Sequence, residues 1–108
     1  MFNQITLIGN LGNNAEVQAE GRLLKLSVAT SSNYKNKSGE WVNDTEWHNV
    51  KLWNDKANEM ATRFLKGSRV LVVGSIATSE NNEGKKFTFI KARSVKSLTA
   101  QKNQGESW

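Results

Sequence analysis

Only one stretch of this 108-residue chain, Asn54–Gly67, carries a helical signal, while nearly every other patterned segment alternates apolar and polar residues at period two. One helix and several short strands leave few ways to bury a core. A sheet this small must curl on itself to cover its apolar face.

Phe2, Gln4, Thr6 and Ile8 alternate with Asn3, Ile5 and Leu7 in a first strand. Gly9–Asn14 reads as a sharp bend, because Gly and Asn both tolerate positive φ. A phosphate-cradling glycine loop would need a Lys-Ser/Thr pair and a helix after it, and neither follows here. Ala15–Ala19 is a candidate short strand, Glu20-Gly21 a turn, and Arg22–Thr30 a second long strand. Ser31–Asp44 is a polar insertion turning at Ser38-Gly39, and it predicts a two-stranded flap. Thr45–Trp53 is the third strand. Asn54 can then cap a helix that carries Asp55 in its first turn and ends before Gly67. Ala57, Met60, Ala61, Phe64 and Leu65 form its one apolar stripe, suited to plugging an end of the sheet. Ser68–Thr78 is a β-branched fourth strand, with Gly74 marking a bulge or sharp curvature. Ser79–Lys85 is a hairpin loop. In the last strand, Lys86–Leu98, Phe87, Phe89, Lys91, Arg93 and Val95 share one side; Thr88, Ile90, Ala92 and Ser94 share the other. The expected class is all-β with one helix: a five-stranded Greek-key barrel with the helix between the third and fourth strands. That is the order of the OB-fold, which binds oligonucleotides and oligosaccharides. The domain spans 1–98, and 99–108 reads as a short flexible C-terminal tail.

Within Thr45–Trp53, alternation puts Thr45, Trp47, Asn49, Lys51 and Trp53 on one face and Glu46, His48, Val50 and Leu52 on the other. A core face does not normally hold a Lys between two Trp rings. Aromatics interleaved with a cation suit a flat, negatively charged ligand, and single-stranded nucleic acid is both. The competing reading packs both rings and leaves Lys51 at the rim. The flap repeats the signature with Tyr34, Lys35, Lys37 and Trp41. An isolated hairpin buries little, so these side chains contact nucleic acid, pack against the body, or meet another subunit. Phe87, Lys91 and Arg93 repeat it again in the last strand.

A formal net charge of +5 favours polyanions. Cysteine is absent, so there is no disulfide framework and no thiolate metal site. His48 is the only histidine and has no partner with which to hold a metal. Carboxylates are sparse and no nucleophile–base pair suggests itself, so neither catalysis nor a cofactor is expected. No apolar run reaches about 18 residues, so no membrane span is expected. The N-terminus enters a strand without a signal-peptide pattern, and a cytoplasmic location is expected. Two other readings stay open: an OB-fold protein-interaction module of the primosome kind, and an RNA-binding OB protein.

Leu7-Ile8-Gly9-Asn10-Leu11-Gly12, Glu16-Val17, Ser27-Val28-Ala29-Thr30-Ser31, Thr45-Glu46-Trp47-His48, Leu65-Lys66-Gly67-Ser68 and Gly74 stand in an order and spacing that resembles bacterial single-stranded-DNA-binding proteins. The resemblance covers residues 1–98. It implies an OB-fold subunit of a homotetramer that wraps single-stranded DNA without sequence preference, in replication, recombination and repair. It also implies bases stacked on Tyr34, Trp47 and Trp53, phosphates neutralised by nearby Lys and Arg, and a subunit contact at His48. The family's other stacking aromatic, in the hairpin between the last two strands, has no counterpart in Ser79–Lys85; Phe87 is the candidate substitute. Replication and repair proteins are implied partners, but the acidic tip through which the family recruits them has no counterpart in Thr99–Trp108.

Overall fold

The computed structural model describes residues 1–99. The elements in chain order are β1 (Ile5–Leu11), β2 (Glu16–Gln18), a 3-10 turn (Ala19–Gly21), β3 (Leu23–Lys35), β4 (Trp41–Trp53), α1 (Ala57–Ala61), β5 (Arg69–Glu80) and β6 (Lys86–Ser97). The strands are ordered β1-β5-β6-β4-β3-β2, and β1 also pairs with β3. That last pairing closes β1, β5, β6, β4 and β3 into a five-stranded barrel, with β4–β6 the parallel pair. This is the expected Greek-key barrel, and α1 lies between the third and fourth of the long strands. The short β2, the candidate strand at Ala15–Ala19, lies outside β3 as a sixth strand. The expected tail falls almost wholly outside the described residues.

Period-two burial runs through each long strand. Leu24, Leu26 and Val28 of β3, Val50 and Leu52 of β4, Val70 and Val72 of β5, and Ile90, Ala92 and Val95 of β6 point inward. Each such side chain contributes roughly 1.5–3 kcal/mol of burial for the larger residues. Ala57 and Phe64 close one end of the barrel.

Three expectations are corrected. First, the strand β1 runs through Gly9 and Asn10 to Leu11, so the bend begins later, and neither Gly9 nor Gly12 has positive φ. Gly9 is needed for proximity: a Cβ there would run into the Ala29 carbonyl oxygen, where β1 crosses β3 to close the barrel. Second, the helix stops at Ala61. Its end tightens as Thr62 N–H donates to Glu59 O and Arg63 N–H to Met60 O, while Thr62 Oγ1 also donates to Glu59 O at 2.7 Å. That hydroxyl occupies a carbonyl the helix would otherwise use. Phe64 stays buried, but Leu65 is half exposed. Third, Val95 lies in the core rather than beside Phe87 and Lys91. Val73 pairs with Ser94 but Gly74 with Ala92, so Arg93 is an extra residue in β6 and the side of each later residue reverses. Gly74 permits this, because a Cβ there would strike the Lys91 carbonyl oxygen.

Candidate nucleic-acid interface

The long strands β3 and β4 pair from Leu23–Trp53 out to Lys35–Trp41, so the flap is a continuation of two barrel strands. Its turn is built by Asn36. The Asn36 side-chain oxygen accepts the N–H groups of Ser38 and Glu40, both at 2.9 Å, and Gly39 takes φ of 82°. The β5–β6 hairpin repeats the device with Asn81, Glu83, Lys85 and Gly84.

Trp41, Trp47 and Trp53 are six residues apart along β4, an even interval that keeps all three on the outer face. They are 71%, 60% and 56% exposed, so none is a core residue. At about 3.3 Å per residue, successive rings lie roughly 20 Å apart along the strand. The inner face of β4 holds Val50 and Leu52 near the barrel and Asp44 and Glu46 on the flap. Charge is thereby sorted by strand parity. The outer faces of β3, β4 and the Phe87–Lys91 part of β6 carry Trp, Phe, Lys, Asn and Ser side chains and no carboxylate.

Trp47 is held by what lies beneath it. A Cβ on Gly12 would overlap ring carbon Cζ3 of Trp47 and come within 2.7 Å of Cη2, so the indole lies over a bare backbone. Lys51 is half-buried on the same face, with its Nζ 4.5 Å from the centroid of the Phe89 ring on β6. Lys35 Nζ lies 5.6 Å from the Trp41 ring, and Lys85 Nζ 5.6 Å from the Phe87 ring. Phe87 and Phe89 stand on the Lys91 side of β6, and Lys91 is in register with Lys51.

Three candidate residues are placed differently. Tyr34 pairs with Val42, and so stands on the side of the flap opposite Trp41 and Trp47. It is still half exposed. Lys37 is in the flap turn itself. Arg93, at the β6 bulge, donates to Gln4 Oε1 at 2.9 Å, which draws it toward β1 and away from β4. Lys25 of β3 faces Lys51 directly across the sheet. Among the described residues the one ion pair is Arg22–Glu20 at 3.9 Å, so the outer-face lysines have no carboxylate partner.

His48 is on the inner side of the hairpin, part-buried, with Nε2 2.9 Å from Thr30 Oγ1. Among the described residues no cluster of His, Cys, Asp or Glu could hold a metal ion. No helix there is long and apolar enough to cross a membrane.

The single-strand binding protein family model matches residues 2–104. The single-stranded DNA-binding protein of Xylella fastidiosa is 33% identical, over 96% of this chain and 68% of its own length. The mitochondrial single-stranded DNA-binding protein of Drosophila melanogaster is 32% identical over 72% of this chain, and the chain spans 56% of that relative. A Plasmodium falciparum single-stranded DNA-binding protein, solved in complex with single-stranded DNA, superposes with a TM-score of 0.77 at 24% identity, over 92% of this chain and 96% of that one. The wild-type Thermus aquaticus protein superposes with a TM-score of 0.72 at 23% identity, over 93% of this chain and 52% of that one. These likenesses establish the OB-fold. The chain belongs to the single-strand binding protein family, a family of binding proteins rather than enzymes.

Proposed function

We propose that this protein binds single-stranded DNA without sequence preference and protects it during replication, recombination and repair. The observation that carries this reading is the carboxylate-free outer face, with three exposed Trp rings along β4 and unpaired lysines between and beside them. Lys35, Lys37, Lys51, Lys91 and Arg93 attract the phosphate backbone and release its counterions. Trp41, Trp47, Trp53 and Phe87 then stack bases, at about 1–3 kcal/mol per base. Tyr34, on the other side of the flap, meets DNA that wraps around the flap edge. Stacking uses π-faces that every base has, so sequence does not matter, and duplex, whose bases are already stacked, binds far more weakly.

The working unit is a homo-oligomer, a tetramer by resemblance, in the cytoplasm and associated with the nucleoid. Two features support assembly. Ile8 is exposed on the outer side of β1, in register with Leu71. His48 and Thr30 form a rigid polar pair suited to a subunit contact.

Tryptophan fluorescence tests the DNA reading. Oligo-dT should quench the protein tightly at low salt and less at high salt, while a matching duplex does little. Trp53→Ala should weaken binding about 5-fold to 150-fold, the worth of one stacked base. Silence toward dT at low salt would remove the proposal and leave the outer face as a surface for a protein partner.

A further inference from the structure

Where β4 meets β6, the ladder joins only Val50 to Ile90 and Lys51 to Lys91. Beyond that point the backbone pairing ends, and the β3–β4 flap and the β5–β6 hairpin go their own ways. Phe89 stands at this fork. A depression of about 190 Å3 on one side of it is shared with Trp47 and Asn49. Another of about 220 Å3, on the other side, is shared with Lys25, Lys51 and Phe87. Phe89 is half-buried, with Lys51 Nζ 4.5 Å from its ring centroid.

The charges at the fork are unusual. Lys25 of β3 is in register with Lys51 of β4, which is in register with Lys91 of β6. Three lysines therefore lie side by side across adjacent strands. Like charges directly opposite one another destabilise a sheet. Glu16 stands in register beyond Lys25 at the outer end of the row, without forming an ion pair, and nothing of opposite sign borders Lys51. A row that weakens the free protein is accounted for by an anion that bridges it.

We propose that Phe89 and the Lys25–Lys51–Lys91 row form a further nucleotide subsite, at which the single strand crosses from the flap to the β5–β6 hairpin. This inference rests on the single-strand reading above. In the free protein Lys51 covers the Phe89 ring. When the strand arrives, a phosphate draws the ammonium off, and the exposed ring stacks a base. Both exchanges are favourable, because a base covers more of the ring than one solvated ammonium does, and a phosphate carries the charge that a ring only imitates. The row holds the phosphates on either side of that base. The subsite supplies the aromatic contact that the tip of the β5–β6 hairpin lacks.

Three variants titrated with oligo-dT across a salt series, each beside a thermal melt, test this. Phe89→Leu keeps an apolar side chain without a ring and should lower affinity about 5-fold or more, whereas Phe89→Tyr should restore it. Lys51→Gln should lower affinity, reduce the slope of log K against log salt by about 0.7, and leave the melting temperature unchanged or higher, since it relieves repulsion. A lysine kept only for folding would melt lower when replaced and leave the salt slope alone. If wild type binds dT tightly and Phe89→Leu and Lys51→Gln bind equally well with the same slope, the subsite is overturned while the single-strand reading stands. If wild type does not bind, that underlying reading is what has failed.

Discussion

Gly12 and Gly74 show how much depends on what a missing Cβ would touch. At Gly12 the obstacle is the Trp47 ring, an exposed side chain that can swing aside; at Gly74 it is the backbone of Lys91 and Ala92, which cannot. The two alanine variants should therefore part company. Gly74→Ala should destabilise the fold by about 1–3 kcal/mol in urea unfolding, the usual range for overpacking. Gly12→Ala should unfold close to wild type, yet bind oligo-dT several-fold more weakly, because Trp47 is tipped off its seat. Equal losses of stability in the two variants would show that the indole at Gly12 is as fixed as a strand.

At the scale of elements, the flap and the β5–β6 hairpin end in the same five-residue turn, each organised by one Asn whose side chain accepts two backbone N–H groups. Asn36→Ala removes both acceptors from an exposed turn. At about 0.5–1.5 kcal/mol per hydrogen bond, the loss is large for a projecting hairpin and small for the barrel, which the flap tip does not touch. Amide hydrogen exchange should speed up for Tyr34–Val42 while the β5 amides at Val70 and Val72 keep their protection. The turn also sets register. Joining Lys35 to Trp41 places every odd residue of β3 beside the Trp face and sends Tyr34 to the other side.

For the molecule as a whole, sorting charge by strand parity matters more than the net value of +5. Asp44 and Glu46 share β4 with Lys51 but point the opposite way. The outer faces of β3 and β4 therefore offer the ligand no carboxylate, even though the chain has ten acidic residues. Single-strand binding that engages Lys35, Lys37, Lys51, Lys91 and Arg93 should show a slope of log K against log salt near −3.5, at about −0.7 for each phosphate neutralised. A slope near −1 would mean that stacking acts almost alone. Arg93 is the cation whose removal should matter least, since its guanidinium is already engaged with Gln4.

Local signals in the sequence determined much of this. Alternation is a property of one strand, so the two faces of Thr45–Trp53, the five long strands and the inward Val50 and Leu52 were legible without a partner. Gly74 was legible as a bulge or a point of sharp curvature, because a glycine inside a β-branched run has few other uses. The bulge's consequence for Val95 was not, since an extra residue in β6 can be counted only against β5. The end of the helix at Ala61 depended on one hydroxyl competing for a carbonyl. The need for Gly9 and Gly12 came from neighbours distant in the chain, Ala29 and Trp47. The Lys25–Lys51–Lys91 row was the least legible of all. The antiparallel half of it follows from the flap turn, but β4 and β6 run parallel, with α1 and β5 between them and no turn to set their register. Only closure of the barrel, with Val50 against Ile90 in the core, brings Lys51 beside Lys91 and Phe89 beneath its ammonium.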